Sequence, residues 1–343
     1  MAVRPMVIAH RGASGYFPEH SPSAYRLALQ QGADALEPDI VVSADGVLVV
    51  RHENELSATT DVAKHVQFAH RYTSRVIDGT VVTGWFTEDF TWEELQLLRC
   101  VEPRPRIRPE SAKHNGTESI MRLADVLQLV DKTSSKTNVV VEIKHPTYYN
   151  LIGRPFVPLI ERELAVAGWK PSDQRLIFES FEKSILASLK TAGIGKMHVY
   201  LCEFHGIAAD EAASRPSGLT YSQELGPTGL ALLASQVDGI SVDVRYLLSG
   251  APLVADPMER LAQAGFTPQL TLVDRAHELG LSVFTWTLRP ENKFLPQSLR
   301  EGVNPAGWGD WQTFYMGVLN TGVDGVFVDH PDLMSQLAVA TRP

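Results

Sequence analysis

Short runs of β-branched and other apolar residues recur along the chain, separated by amphipathic stretches. The runs lie at Arg4–Ala9, Asp34–Val42, Asn138–Lys144, Arg175–Ser180, Met197–Cys202, Asp238–Val244, Leu281–Thr287 and Asp324–Val328. Their length and β-branched character predict strands. Between them, apolar positions at helical spacing predict helices over Ser21–Gln31, Ser119–Val130, Phe156–Ala167, Lys183–Ala192, Leu270–Leu279 and Trp311–Asn320. Gly32, Gly168, Gly193, Gly280 and Gly322 follow helical segments as stop signals. Strand–helix alternation repeated in this way predicts an α/β fold, a (β/α)8 TIM barrel of parallel strands. The competing architecture is an open doubly wound sheet, which usually carries a glycine-rich phosphate loop after its first strand. Neither G-x-G-x-x-G nor G-x-x-x-x-G-K-[ST] occurs.

One region breaks the rhythm. Ser43-Ala44-Asp45-Gly46 reads as a turn that sends Val47–Arg51 back as a hairpin partner. From Glu53 to about residue 118 there is no clean strand–helix unit. A stretch this long is functional or has a small fold of its own, so it reads as an insertion covering one end of a single domain over 1–343. It contains Trp85, Phe86, Phe90 and Trp92, of which Trp85, Phe86 and Trp92 form either an insertion core or an apolar rim. It also contains the run Pro103-Arg104-Pro105-Arg106-Ile107-Arg108-Pro109, read as a solvated, salt-bridged loop or as a contact for an anionic polymer.

Composition narrows the partners. The 343 residues include 31 Lys and Arg against 40 Asp and Glu, for a formal charge of −9, with 44% hydrophobic and 21% charged residues. That balance is globular and rules out a disordered or collagen-like chain. Its acidity argues against nucleic acid as a partner. No apolar run suggests a membrane span, and no secretory leader pattern is visible, so the chain reads as cytoplasmic or already processed. Cys100 and Cys202 read as buried free thiols, and Asn115-Gly116-Thr117 matters only in a secreted protein.

Polar residues accumulate where the predicted strands end, the face that carries chemistry in such barrels. Glu37 and Asp39 are two apart, so strand periodicity turns both carboxylates to one face. Glu142, at the matching level of the next barrel strand, completes a group of three. Like charges pointing into a barrel need neutralising, and an all-oxygen, all-acidic set favours one divalent cation, Ca²⁺ or Mg²⁺. The alternative is a carboxylate pair satisfied by arginines or hydroxyls. His10 and His52, each beside an acidic strand, can act as an acid–base pair. Arg11 offers a fork of donors and Lys144 a point charge for a phosphate. Three carboxylates, a divalent cation, Arg11 and Lys144 leave a net charge of about +1, suited to a phosphodiester anion. Trp286 reads as a stacking surface for substrate or as core. Glu179 and Glu203 read as supporting or solvated residues. No G-x-S-x-G or H-E-x-x-H is present, so serine and zinc hydrolase chemistry has no support. A glycosidase using Glu37 and Glu142 would leave both histidines and Arg11 idle.

These residues resemble the glycerophosphodiester phosphodiesterase family. The resemblance rests on His10-Arg11-Gly12-Ala13-Ser14-Gly15-Tyr16, Pro18-Glu19-His20, Leu36-Glu37-Pro38-Asp39, Asp45-Gly46, Val49-Val50-Arg51-His52 and Val141-Glu142-Ile143-Lys144. It continues through Thr285-Trp286-Thr287, Asp324-Gly325-Val326-Phe327 and Asp329-His330-Pro331, and it is similar to the longer branch with an insertion after the second strand. The resemblance departs at His52-Glu53 and Leu56-Ser57-Ala58-Thr59-Thr60, where the family often has His-Asp and Leu-Asp-Arg-Thr-Thr. It implies a TIM barrel with one cation on Glu37, Asp39 and Glu142, and His10 and His52 as acid and base. Arg11 and Lys144 would hold the phosphate. It further implies hydrolysis of a small glycerophosphodiester to sn-glycerol 3-phosphate and an alcohol, through attack by the substrate's own 2-hydroxyl. Polymeric glycerol phosphate (teichoic acid) and intact lipids are the alternative substrates, and a non-catalytic binder of glycerophosphodiesters is a further reading.

Overall fold

The computed structural model describes residues 4–133, 136–215, 218–248 and 271–340. Its strands are β1 (Met6–His10), β2 (Ala35–Glu37), β3 (Asp39–Val42), β4 (Leu48–Val50), β5 (Thr73–Ile77) and β6 (Thr80–Gly84), then β7 (Asn138–Ile143), β8 (Leu176–Ser180), β9 (Met197–Cys202), β10 (Gly239–Asp243), β11 (Ser282–Leu288) and β12 (Gly325–Val328). β1 pairs with β12 on one side and β2 on the other, while β2 and β3 both pair with β7. With β2 and β3 counted as one, eight parallel strands close into a ring, the expected TIM barrel. The single strand expected over Asp34–Val42 is interrupted at Pro38, which has no N–H for the ladder.

Helices occupy Pro22–Gln30, Leu123–Thr133, Phe156–Ala167, Lys183–Ala192, Leu272–Glu278 and Trp311–Leu319. The helix expected from Ser119 starts at Leu123 instead. Residues 119–122 are held extended by bridges from Ser119 to Arg99 and from Arg122 to Val49. Leu270, expected to open a helix, and residues 1–3 lie outside the described residues. Among the described residues no helix is long and apolar enough to cross a membrane. Cys100 and Cys202 are free and buried.

Alternation along the strands divides the core in two. Ile8, Ala35, Val140, Ile177, Val199, Phe284 and Phe327 point inward and pack into an apolar plug inside the barrel. The opposite face of the strands, including Leu36, Val141, Phe178 and Tyr200, packs against helix residues such as Ile160, Leu164, Leu186 and Leu189. The plug blocks the barrel below the level where its polar residues begin.

The stretch after β4 folds as a cap with its own apolar centre, continuous with the main core. β5 and β6 form an antiparallel hairpin. Phe86 and Phe90 are fully buried, and Phe90 meets Phe68 edge-on at 5.0 Å. Trp85 is half-buried, its indole N–H donating to the Phe68 carbonyl at 2.7 Å, and Trp92 also packs on the core. These aromatics are therefore core and not a rim. Replacing Phe90 with Ala should lower the unfolding free energy by about 3–5 kcal/mol, read as a shift in the urea midpoint. A shift too small to resolve would show that the cap contributes little to stability.

Candidate active site

Two residues beyond the plug, the inward-facing positions turn polar. Ile8 is followed by His10, Ala35 by Glu37, Val140 by Glu142 and Ile177 by Glu179. Strand register sets them in two neighbouring levels. His10 lies opposite Glu37, Asp39 opposite Glu142, and Glu142 opposite Glu179. Ligand oxygens of Glu37, Glu142 and Glu179 all lie within 4.8 Å of one another, and Asp39 is within hydrogen-bonding reach of Glu142. All four are buried. The oxygens Oε1 of Glu37, Oδ1 of Asp39 and Oε2 of Glu179 have no hydrogen-bond partner. Glu179, read from sequence as supporting or solvated, is 1% exposed and belongs to the group. Its signal in the sequence is an acid at an inward position of a hydrophobic strand.

Burial and mutual repulsion shape the charges. Burial, then the neighbouring Asp39, Glu142 and Glu179, push the Glu37 carboxyl well above its usual range. Glu142 is pushed up to about 8, by burial first, although Lys144 pulls the other way. Burial and the carboxyls of Glu142 and Asp39 raise Glu179 as well. For Asp39 burial opposes ionisation, yet the His20 hydrogen bond and the nearby His52 and Arg11 hold it well below the usual range. His20 Nε2 sits 2.8 Å from Asp39 Oδ2, with Nδ1 2.7 Å from the Tyr25 hydroxyl. The buried orphan oxygens and the all-oxygen donor set fit a hard divalent cation.

The two histidines line the same cavity of about 840 Å³ at the C-terminal ends of the strands. His10 closes β1, and its Nδ1 lies 2.6 Å from Asp329 Oδ1, so Nδ1 carries the hydrogen. Its Nε2 accepts from Arg11 Nε at 3.2 Å. Burial, then the adjacent Arg11 charge, lowers the His10 imidazole to about 3. His52 follows β4, with Nδ1 2.9 Å from Glu53 Oε1 and Nε2 3.4 Å from Lys144 Nζ. Burial, Arg11 and Lys144 lower it to about 4. Both rings thus anchor Nδ1 on a carboxylate and leave Nε2 as the basic nitrogen.

Arg11 lines the cavity but is committed in part, since its Nη1 donates to both Glu19 oxygens at 3.2 and 3.0 Å. The turn that positions it depends on Gly12, whose φ is +83° and where a Cβ would lie 2.7 Å from the Ala24 carbonyl carbon. Lys144 Nζ donates to Glu142 Oε1 at 2.8 Å. Trp286 is half-buried on the cavity wall, edge-on to Phe181 at 5.7 Å, and Glu203 is exposed at its margin.

The cap supplies residues that sequence reasoning missed. Arg108 belongs to the run read as a solvated, salt-bridged loop or a polymer contact. It is salt-bridged but buried, donating to Asp329 Oδ2 at 2.5 Å and to Glu291 at 2.8 Å. Arg289 donates to the same Asp329 oxygen at 2.6 Å. On the other side, Glu53 Oε2 lies 3.1 Å from His145 Nε2, and His145 Nδ1 lies 2.5 Å from Asp78 at the tip of the β5–β6 hairpin. Arg104 also lines the cavity.

A family model described as the glycerophosphoryl diester phosphodiesterase family matches residues 10–333. The chain belongs to this family. A glycerophosphodiester phosphodiesterase of Arabidopsis thaliana is 28% identical over 339 residues, covering 95% of this chain and 84% of the relative. One of Haemophilus influenzae is 26% identical, covering 95% and 88%. Among solved structures, an Oleispira antarctica phosphodiesterase in complex with the product sn-glycerol-3-phosphate matches with a TM-score of 0.58 at 20% identity, over 98% and 97% of the two chains. The Thermotoga maritima glycerophosphodiester phosphodiesterase matches at 0.53 and 17% identity, over 98% and 100%. These structures share the barrel fold with this member of the family.

The Glu53–His145–Asp78 contact has a consequence for stability. Burial opposes the His145 charge, but Asp78 and Glu53 outweigh it and raise the imidazole from 6.5 to about 9. A raised folded-state value means the contribution is fully present below about pH 6.5 and is lost as pH rises through about 9. Thermal unfolding followed between pH 6 and 10 should therefore fall less steeply in His145→Gln than in the parent. Parallel profiles would contradict the contact.

Proposed function

We propose that the chain hydrolyses glycerophosphodiesters to sn-glycerol 3-phosphate and an alcohol, with a divalent cation held by Glu37, Asp39 and Glu142. Family membership makes it an enzyme, a phosphoric diester hydrolase. The observation that carries the cation reading is the pair of buried carboxylate oxygens, Glu37 Oε1 and Asp39 Oδ1, that no group among the described residues satisfies. Such atoms are costly unless a ligand meets them. Ca²⁺ and Mg²⁺ both suit an all-oxygen set. When bound, the ion polarises phosphoryl oxygens and draws the diester into place.

The remaining work falls to this chain's residues. His10 and His52, each fixed by a carboxylate at Nδ1, present Nε2 to the cavity. One imidazole takes the proton of the substrate's 2-hydroxyl as that oxygen attacks phosphorus, and the other gives a proton to the departing alcohol. The roles then reverse as water opens the cyclic phosphate. An incoming phosphate anion favours the protonated imidazole, offsetting the lowering that burial imposes. Arg11 and Lys144 stabilise charge on the phosphoryl oxygens, and Trp286 offers an apolar wall for the glycerol. The attacking group belongs to the substrate, so no side-chain nucleophile is required, and proximity does much of the catalysis. The Oleispira relative's complex with sn-glycerol-3-phosphate supports this choice of product.

His10→Ala and His52→Ala should each lower kcat by at least about 10²-fold without a matching loss of thermal stability, and chelation should remove activity. Parental rates in both variants would overturn the assignment. A leaving alcohol with an alkyl chain is a second reading. It is favoured by Val76, Leu151 and Ile207, which line the outer cavity wall yet are 60%, 82% and 41% exposed. Turnover of lysophosphatidylcholine above that of glycerophosphocholine would select it, and the reverse order would reject it.

A further inference from the structure

We propose that Glu179 is a fourth carboxylate of the cation site and that it selects an ion of calcium size over magnesium. The inference rests on the cation reading of Glu37, Asp39 and Glu142 given above.

Glu179 stands on β8 two residues beyond the plug residue Ile177 and level with Glu142 on β7. Its side chain is buried, at 1% exposure, and its Oε2 has no hydrogen-bond partner. Its charged neighbours include Glu37, Glu142, Asp39 and Lys144, and the Lys144 ammonium already donates to Glu142 at 2.8 Å. Among the described residues no donor is therefore aimed at the orphan oxygen, while a carboxylate oxygen of Glu179 lies within 4.8 Å of those of Glu37 and Glu142. Any neutral side chain at this inward position would avoid the cost of burying another acid among acids. A cation within reach of all of them removes that cost and gives the orphan oxygen its partner.

The number of acids bears on which cation. Ca²⁺ accepts six to eight oxygens in flexible geometry, with affinity rising with the charge of its ligands. Mg²⁺ demands a tighter octahedron, keeps several waters and is usually held by one or two carboxylates. Glu37, Asp39, Glu142 and Glu179 converging from three neighbouring barrel strands match the first ion.

Calorimetric titration of the chelator-stripped full-length protein with CaCl₂ and MgCl₂ tests this, using the parent, Glu37→Gln, Glu179→Gln and Glu179→Ser. The parent should bind Ca²⁺ more tightly than Mg²⁺. Both Glu179 variants should lose tenfold or more in Ca²⁺ affinity and less in Mg²⁺ affinity, so that selectivity narrows. The serine variant relieves crowding and guards against a folding defect in the glutamine one. Ca²⁺ affinity within threefold of the parent in both Glu179 variants, together with its loss in Glu37→Gln, overturns the role of Glu179 alone. A parent that binds neither ion overturns the cation reading and this inference with it.

Discussion

The site is organised by carboxyl groups crowded against the top of a dry apolar plug. Asp39, Glu142 and Glu179 sit level on adjoining strands, with Glu37 level with His10 beside them and hydrocarbon beneath. The nearby cations do not balance them. Arg11 divides itself between Glu19 and the cluster, and Lys144 engages one oxygen of Glu142. The protein alone therefore keeps Glu37, Glu142 and Glu179 raised well above the ordinary carboxylate range. A divalent ion held among them, as proposed, would let them ionise together and would draw a phosphodiester to the barrel mouth.

Around this cluster the two imidazoles are held in the same way from opposite sides. Asp329 fixes His10 and is itself gripped by Arg108 and Arg289. Glu53 fixes His52 and is tied through His145 to Asp78. Arg108 and Asp78 both belong to the stretch between β4 and β7, so the cap does more than cover the barrel. Through Arg108 it holds the carboxylate that anchors His10, and through Glu53 and Asp78 it holds the His52 side. For the proposed proton-transfer role such positioning would matter, because small misalignments of such a group are costly in rate.

The barrel was legible in the sequence because its strands are continuous apolar runs, and the ends of Met197–Cys202, Phe156–Ala167 and Lys183–Ala192 fall where the pattern puts them. Glu37, Asp39 and Glu142 were legible because period two dictates which way they face. Asp329, Arg108, Arg289, His145 and Asp78 were not read as site residues. Their roles arise from contacts spanning long stretches of chain, such as the 221 residues between Arg108 and Asp329, and no local periodicity carries such information. The cap was legible as an insertion over one end of the barrel, but not its elements: short turns and 3₁₀ segments, as at Val66–Arg71, have no repeating face. Glu179 lay between these cases, visible as an inward acid but lacking a motif to mark it.

The central claim is that the acids at the barrel mouth share one cation beside two imidazoles. A crystal structure with Ca²⁺ and glycerol 3-phosphate tests it most directly. The account predicts an anomalous peak within ligand distance of Glu37, Asp39 and Glu142, with the phosphate flanked by Nε2 of His10 and of His52. A fully liganded product beside an acid cluster that holds only water would contradict it.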